Sequence, residues 1–576
     1  MKLSEVEIAK DKSNYLRGTI RESLSNDITG ALYHDDTHVI KFHGSYQQTD
    51  RDIDSERKAQ KLEPLYSFMI RVRVPGGIAS PKQWLRMDEL SDEFGNSTMK
   101  LTTRQAFQLH GIYKKSLKPA IQGFNQVLLD SIAGCGDVNR NVMCNPNPYL
   151  SPLHEEVYQM SAKISEHFTP KTSAYWDIWL NGEQLSDKST EELVSPVITQ
   201  AVEHDDEPIY TKHYLPRKFK IALAVPPYND VDIFANDIGL IAIEEDGKLI
   251  GYNVAIGGGF GMTFGMLDTF PRLASVIGYV EKDKVVEVCE KVLTIQRDWG
   301  NRENRKFSRL KYTIERVGLD VFVNEMHNRL GYSLEPTKPF TFKSNGDSFG
   351  WSKNTNGNFN LTLFIEGGRI VDKDDYKLKT ALKKVAELND GDFRLTGNQN
   401  LMICNLTEKC KKLAEKILEE YGVLQETFKQ TGLRLNSIAC VALNTCTLAF
   451  AEAERYLPSL IDKIDVIVRE LNLEKENIVI RMTGCPNGCA RPYLGEIAFI
   501  GRAIGKYNMY LGASHSGERL NKLYKEMLDE NGILNELRPI LINYAENKLE
   551  NERFGDFTIR KGYVKATENG RDFHKQ

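Results

Sequence analysis

CVALNTC, residues 440–446, and IVIRMTGCPNGCARP, residues 478–492, bring together four cysteines as two close pairs from distant parts of the chain. Five residues separate Cys440 from Cys446 and three separate Cys485 from Cys489, with a mostly helix-like connection between the pairs. Thiolates are soft ligands, and four of them suit either a zinc ion or an iron–sulfur cluster. Structural zinc prefers two to four residues between paired cysteines, so the longer loop after Cys440 favours a cubic cluster. The zinc reading implies a different kind of protein, a scaffold that uses its cysteines only to hold its shape.

Working outward, the cysteine segments have echoes earlier in the chain. RLNSIACVALNTC, around Cys440, is matched in pattern by GDVNRNVMCNPNPY, around Cys144, and NIVIRMTGCPNGCARPYLGEIAFIG by RKFKIALAVPPYNDVDIFANDIGLIAI. Further out, SFMIRVRVPGG, PKQWLRMDELSDEF, STMKLTTRQAFQLHGI and KPAIQGFNQVLLDSI alternate strand-like and helix-like patterns. NLTLFIEGGRI, YKLKTALKKVAELN, DFRLTGNQNLMICNL and KCKKLAEKILEEYG repeat that order. Both copies carry a glycine pair after the first strand, Gly76 with Gly77 and Gly367 with Gly368, and LTTRQ answers LTGNQN. The expectation is an internally duplicated α/β chain with a pseudo-twofold body and a cleft between related halves. Its expected divisions are an arm over 1–66, a half-domain over 67–132, a larger domain over 133–333, a second half-domain over 334–407 and a second larger domain over 408–576.

The halves differ where chemistry is at stake. Where the second half has its cysteines, the first has Arg140 beside Asn141 and the run Arg217, Lys218, Phe219, Lys220. A cleft with metal on one wall and cations on the other is a place to reduce an anion.

Composition narrows the classes. The 576 residues are 41% hydrophobic with a formal net charge of -4, and the mean hydropathy is -0.41. This balance gives no reason to expect a nucleic-acid partner. Charges interrupt the N-terminal MKLSEVEIAKDKSNYLRG, and no run of eighteen apolar residues occurs, so neither a signal peptide nor a membrane span is expected and a cytoplasmic location is. Nine cysteines do not resemble a disulfide framework, and Cys135, Cys144, Cys289, Cys404 and Cys410 read as reduced thiols. Residues 1–66 have little core of their own and are expected to wrap the body. The stretch from Leu180 to His213, rich in Glu, Asp and Ser, reads as a surface insertion. Gly257, Gly258 and Gly259 could admit a flat ligand, but they lack the context of a dinucleotide fingerprint, so electrons should come from another protein.

TGCPNGC, ACVALNTC, NRNVMC, LPRKFK, QRDWGNR and the duplicated halves together resemble the sulfite and nitrite reductase family, within it the assimilatory sulfite-reducing haemoproteins. The likeness runs from LRGTI at Leu16 through FHGSYQQTDRD to FGDFT at Phe554. It implies half-domains of ferredoxin-like fold and two larger mixed sheet and helix domains. It also implies a [4Fe–4S] cluster on Cys440, Cys446, Cys485 and Cys489, with Cys489 additionally the axial ligand of a siroheme iron. Lys100, Arg104, Gln108, His110 and Arg217 would face the siroheme carboxylates, and Gly257 to Gly259, Gln399 and Asn487 would line the pocket. Arg71, Arg140, Lys218 and Lys220 would bind sulfite. Arg71 and Arg73 share a strand face by period two, and the resemblance favours Arg71. The nitrite-reducing branch tends to place Asn where this chain has Lys220, which favours sulfite, reduced by six electrons to sulfide, over nitrite, reduced to ammonia. Electrons would come from an NADPH-dependent flavoprotein partner, or alternatively from ferredoxin, and the N-terminal segment would be a docking element.

Overall fold

In the computed structural model residues 3–180 and 207–575 are described, which leaves most of the acidic stretch before His213 outside the described residues. Its described end departs from the surface reading, because Glu207 and Tyr210 are buried. The Tyr210 hydroxyl donates to the Phe168 carbonyl and accepts from the Asn139 amide, which ties this end into the core.

Each half-domain grows from the same local signals. In the first, Ser80 caps the helix Pro81–Glu93, its hydroxyl accepting from the Gln83 amide while the Gln83 side chain accepts from the Ser80 amide. The stretch read as one strand, STMKLTTRQAFQLHGI, is instead two antiparallel strands, Met99–Leu101 and Phe107–Ile112. Its counterpart likewise splits into Asp392–Leu395 and Leu401–Leu406. Gln105 and Gln399 hold equivalent turn positions, both at positive φ.

The two half-domains are knitted by exchanging short strands. Ile78–Ala79 of the first pairs with Asp392–Leu395 of the second, and Arg369–Ile370 of the second pairs with Met99–Leu101 of the first, so each ends as a five-stranded sheet. The glycine pairs permit this. Gly77 and Gly368 have φ of 78° and 69°, and a Cβ at either would lie 2.4 Å from a carbonyl oxygen, of Leu395 and Leu101 respectively. Across the seam, Trp84 stacks on Phe393 with ring centroids 4.5 Å apart.

The larger domains repeat each other as well. Ile221–Ala224 runs parallel to Ile238–Glu245, which is followed by antiparallel Lys248–Ile256 and Ser275–Glu281. Ile480–Thr483, Ile497–Ala503, Lys506–Leu511 and Lys522–Leu528 have the same order and directions. The second copy opens with an extra parallel strand, Ser437–Ala439, which the first reduces to the bridges Asn139–Phe219 and Met143–Ala222. The duplication is therefore one of topology and not only of pattern.

The arm is more than a wrapping. It forms the helix Glu5–Lys12 and the strand Ser45–Thr49, which joins the first sheet antiparallel to Tyr66–Val72. Lys10 is buried, where it pairs with Glu7 at 2.5 Å and donates to the Leu215 carbonyl at 2.8 Å.

Candidate active site

A cavity of about 370 Å³ opens where the arm, the first half-domain and both larger domains meet. All four paired cysteines line it. Cys440 and Cys446 follow the strand Ser437–Ala439, and Cys485 and Cys489 follow its parallel neighbour Ile480–Thr483, so the pairing of these strands places the two motifs side by side. The Gly484 amide donates to Cys440 Sγ and the Asn487 side chain to Cys485 Sγ, both at 3.4 Å. Cys489 is the one exposed member of the four.

Four thiols on one cavity wall form the donor set of an iron–sulfur cluster or of zinc, and the five-residue loop between Cys440 and Cys446 favours the cluster. Burial and mutual repulsion push the Cys440 thiol well up and the Cys485 thiol up to about 12. Bound metal cations are what would make such thiols ionise.

The opposite wall is cationic. Lys41, Arg71, Lys100, Arg140, Arg217, Lys218 and Arg305 line the cavity against a single carboxylate, Asp137. Asp137 is already paired with Arg305 at 2.8 Å. Lys218 alternates with Phe219 on an extended run, so the ring is buried while the lysine faces the cleft. Among the described residues neither Arg217 nor Lys218 forms a hydrogen bond or ion pair through its side chain, and burial together with Arg217 pushes the Lys218 ammonium down to about 7. Arg71 donates to Cys135 Sγ at 3.0 Å and to the Gly134 carbonyl at 3.3 Å, and Arg140 donates to the same carbonyl at 3.2 Å. One turn therefore positions both guanidiniums. An excess of uncompensated cations in a buried space calls for a polyanionic ligand.

Most expected residues converge here. Arg71, Lys100, Gln108, His110, Arg140, Arg217, Lys218, Gln399 and Asn487 all line the cavity. Arg73 does not. It forms a buried two-pronged pair with Asp130, at 3.0 and 2.6 Å, and so serves the core. Lys100 reaches the cavity with its charge committed to Glu454 at 2.6 Å. Arg104 is outside the lining, turned inward to Asn236 at 2.5 Å and the Ile221 carbonyl at 3.1 Å, with its Nε unpartnered. Lys220 is likewise outside it, half-buried, with burial and Lys218 holding its ammonium far below its ordinary value. Gly257, Gly258 and Gly259 also lie outside. A Cβ on Gly258 would fall 2.2 Å from the Phe234 carbonyl oxygen, so close chain packing accounts for a glycine there.

The arm residues Lys41, Tyr46 and Gln48 are part of the wall, as is Arg305, and sequence reasoning did not single them out. The signal available was the placement of Lys41 and Tyr46 around the buried Phe42 in KFHGSY. Arg51 donates to the carbonyls of Cys446 and Ala449, both at 2.8 Å, and so holds the first cysteine loop.

Comparison with known proteins bears on this arrangement. The "Nitrite/Sulfite reductase ferredoxin-like half domain" matches residues 60–127 and 352–421, and the "Nitrite and sulphite reductase 4Fe-4S domain" matches residues 159–334. A "Sulfite reductase [NADPH] hemoprotein beta-component" of Staphylococcus haemolyticus is 56% identical over 573 residues, covering 100% of this chain and 97% of that protein. The chain belongs to the nitrite and sulfite reductase family. Proteins of the same description from Geobacillus thermodenitrificans and Lysinibacillus sphaericus are 55% and 56% identical, each covering at least 99% of this reductase and 98% of their own length. A solved structure of the Mycobacterium tuberculosis NirA protein matches the fold, with a TM-score of 0.78 at 22% identity over 98% of this chain and 97% of that one. An iron–sulfur cluster and a haem are thus the cofactors named for this family. The matched 159–334 segment lies within the half that lacks the paired cysteines, as duplication of one ancestral unit explains.

Proposed function

We propose that this reductase is the haemoprotein component of an assimilatory sulfite reductase, converting sulfite to sulfide with six electrons. The observation that carries the reading is the cavity in which four thiols share the lining with the cations Arg217 and Lys218. Cys440, Cys446, Cys485 and Cys489 would hold a [4Fe–4S] cluster, and Cys489, the exposed one of them, would also hold siroheme. Arg217 and Lys218 would meet the carboxylates of siroheme, with Gln108, Gln399 and Asn487 offering amides. Cluster and siroheme would supply the electron storage that six-electron chemistry requires.

The chain's own residues bind the anion and manage protons. Arg71 and Arg140, fixed by the Gly134 carbonyl, present donors to sulfite oxygens. Lys218, with a pKa pushed down to about 7, can hold a proton and release it at neutral pH as oxygens leave as water. Overall, sulfite, six electrons and seven protons give hydrosulfide and three waters. The relatives' description names NADPH and a beta component; here NADPH acts through a flavoprotein partner, with ferredoxin the alternative donor. No helix among the described residues is long and apolar enough to cross a membrane, and we assign the protein to the cytoplasm.

The visible spectrum of purified protein tests the cofactor assignment. Strong visible bands, lost in Cys489→Ser, are expected; a colourless zinc-bound protein contradicts the reading. Nitrite reduction to ammonia is the alternative activity, and the ratio of sulfite to nitrite turnover on the same sample separates the two.

A further inference from the structure

At the edge of the cavity, away from the cysteines, Glu5, His34 and His38 place one ligand atom each within 4.8 Å of one another. A turn at His34 and Asp35 leads into the short helix Asp36–Val39, with the Thr37 amide bonded to the Tyr33 carbonyl and the Val39 amide to that of Asp35. His34 and His38 are therefore four residues apart on one face, their rings edge to face at 5.5 Å. Glu5 comes from the facing helix Glu5–Lys12. The turn bearing the histidines is pinned from below, Asp36 accepting from the Thr19 amide at 2.9 Å and from the hydroxyls of Thr19 and Ser23 at 2.8 and 2.5 Å.

The donor atoms are free for a ligand. His38 Nε2 is a buried nitrogen without a hydrogen-bond partner, while its Nδ1 lies 3.4 Å from Lys41 Nζ. His34 Nδ1 lies 3.3 Å from an Asp35 carboxylate oxygen, which leaves Nε2 as the outward nitrogen. A carboxylate behind a histidine is the usual outer support of a metal ligand, fixing its tautomer. Glu5 is exposed, its carboxylate open to a ligand.

We propose that Glu5, His34 and His38 form a binding site for a divalent transition-metal ion, zinc being the probe of choice. Two imidazoles and one carboxylate favour zinc and its neighbours over magnesium or calcium, and three protein ligands leave a position for water. The Glu5 carboxylate beside the imidazoles and that of Asp35 favour a cation there, while Lys41 and Arg305 oppose it. The site staples the first helix to the turn that leads into Lys41, Phe42 and Tyr46, and His38 itself lines the cavity. Metal on Nε2 leaves the proton on Nδ1, so Lys41 turns from His38 toward the Tyr46 ring, already 5.6 Å away. The staple is thereby coupled to a cation of the active-site wall.

The test uses the untagged, full-length protein with both cofactors in place, dialysed to equilibrium against zinc chloride, with bound zinc counted by mass spectrometry. Wild type should retain one zinc per chain more than the Glu5→Gln, His34→Ala double variant. Each single variant should weaken binding by at least about tenfold. Both side chains are exposed, so neither change threatens the fold. Zinc should also slow proteolytic cleavage within residues 1–40 of wild type and not of the double variant. Equal zinc retention in wild type and double variant, or cleavage unaffected by zinc in both, overturns the proposal.

Discussion

Arg71 lies in the strand Tyr66–Val72 and Arg73 just past its end, and the two meet different partners. Arg73 and Asp130 form a buried pair, only 5% and 8% exposed, whose breakage leaves a stranded carboxylate. Arg73→Met should cost roughly 3–5 kcal/mol of stability, read by chemical denaturation. Arg71 bonds to Cys135 and Gly134 and lines the cavity beside the Gln108 side chain. Arg71→Met should leave the denaturation midpoint close to wild type and lower kcat/KM for sulfite by roughly 10- to 100-fold. The reverse pattern would exchange their roles. Lys218 adds a pH dependence. Its ammonium, held down first by burial and then by Arg217, binds an anion only while protonated, below about 7, and anions seated beside it raise that limit. Nitrite, fully ionised throughout, isolates this group from the titration of sulfite itself. kcat/KM for nitrite should fall as pH rises through and above 7, and Lys218→Arg should move that fall to higher pH; an unmoved limb assigns it to another group.

At the scale of elements, the sequence made the repeated halves, the glycine pairs and the cysteine wall legible, because each rests on local pattern. Three things were not. Strand exchange between half-domains uses two-residue segments, Ile78–Ala79 and Arg369–Ile370, too short to carry a periodicity. Arg104 and the glycines at 257–259 lie in matching motifs, yet whether they face a cavity or the protein depends on long-range packing such as the Asn236 contact. The docking role of the arm followed from the resemblance alone, whereas the cavity-wall positions of Lys41 and Tyr46 and the grip of Arg51 on the Cys446 loop depend on long-range packing. Deleting residues 1–60 should therefore strip visible cofactor absorbance and abolish turnover with reduced methyl viologen as well as with NADPH. Full viologen-driven turnover by the truncated protein would restore the arm to a docking role alone.

For the whole molecule, duplication explains how one chain builds an asymmetric site. Two copies of one topology face each other across a cavity, one keeping the thiols and the other Arg140, Arg217 and Lys218. Neither wall alone would serve: thiols without cations would hold a cluster with nothing to attract an anion, and cations without thiols would bind the anion with no source of electrons beside it. The measurement that tests this most directly is the stoichiometry of reduced methyl viologen oxidised to sulfide released from sulfite by the purified protein. Six viologen cations oxidised for each sulfide is the expected result; two for each sulfite consumed with no sulfide released, or no oxidation at all, would contradict the account.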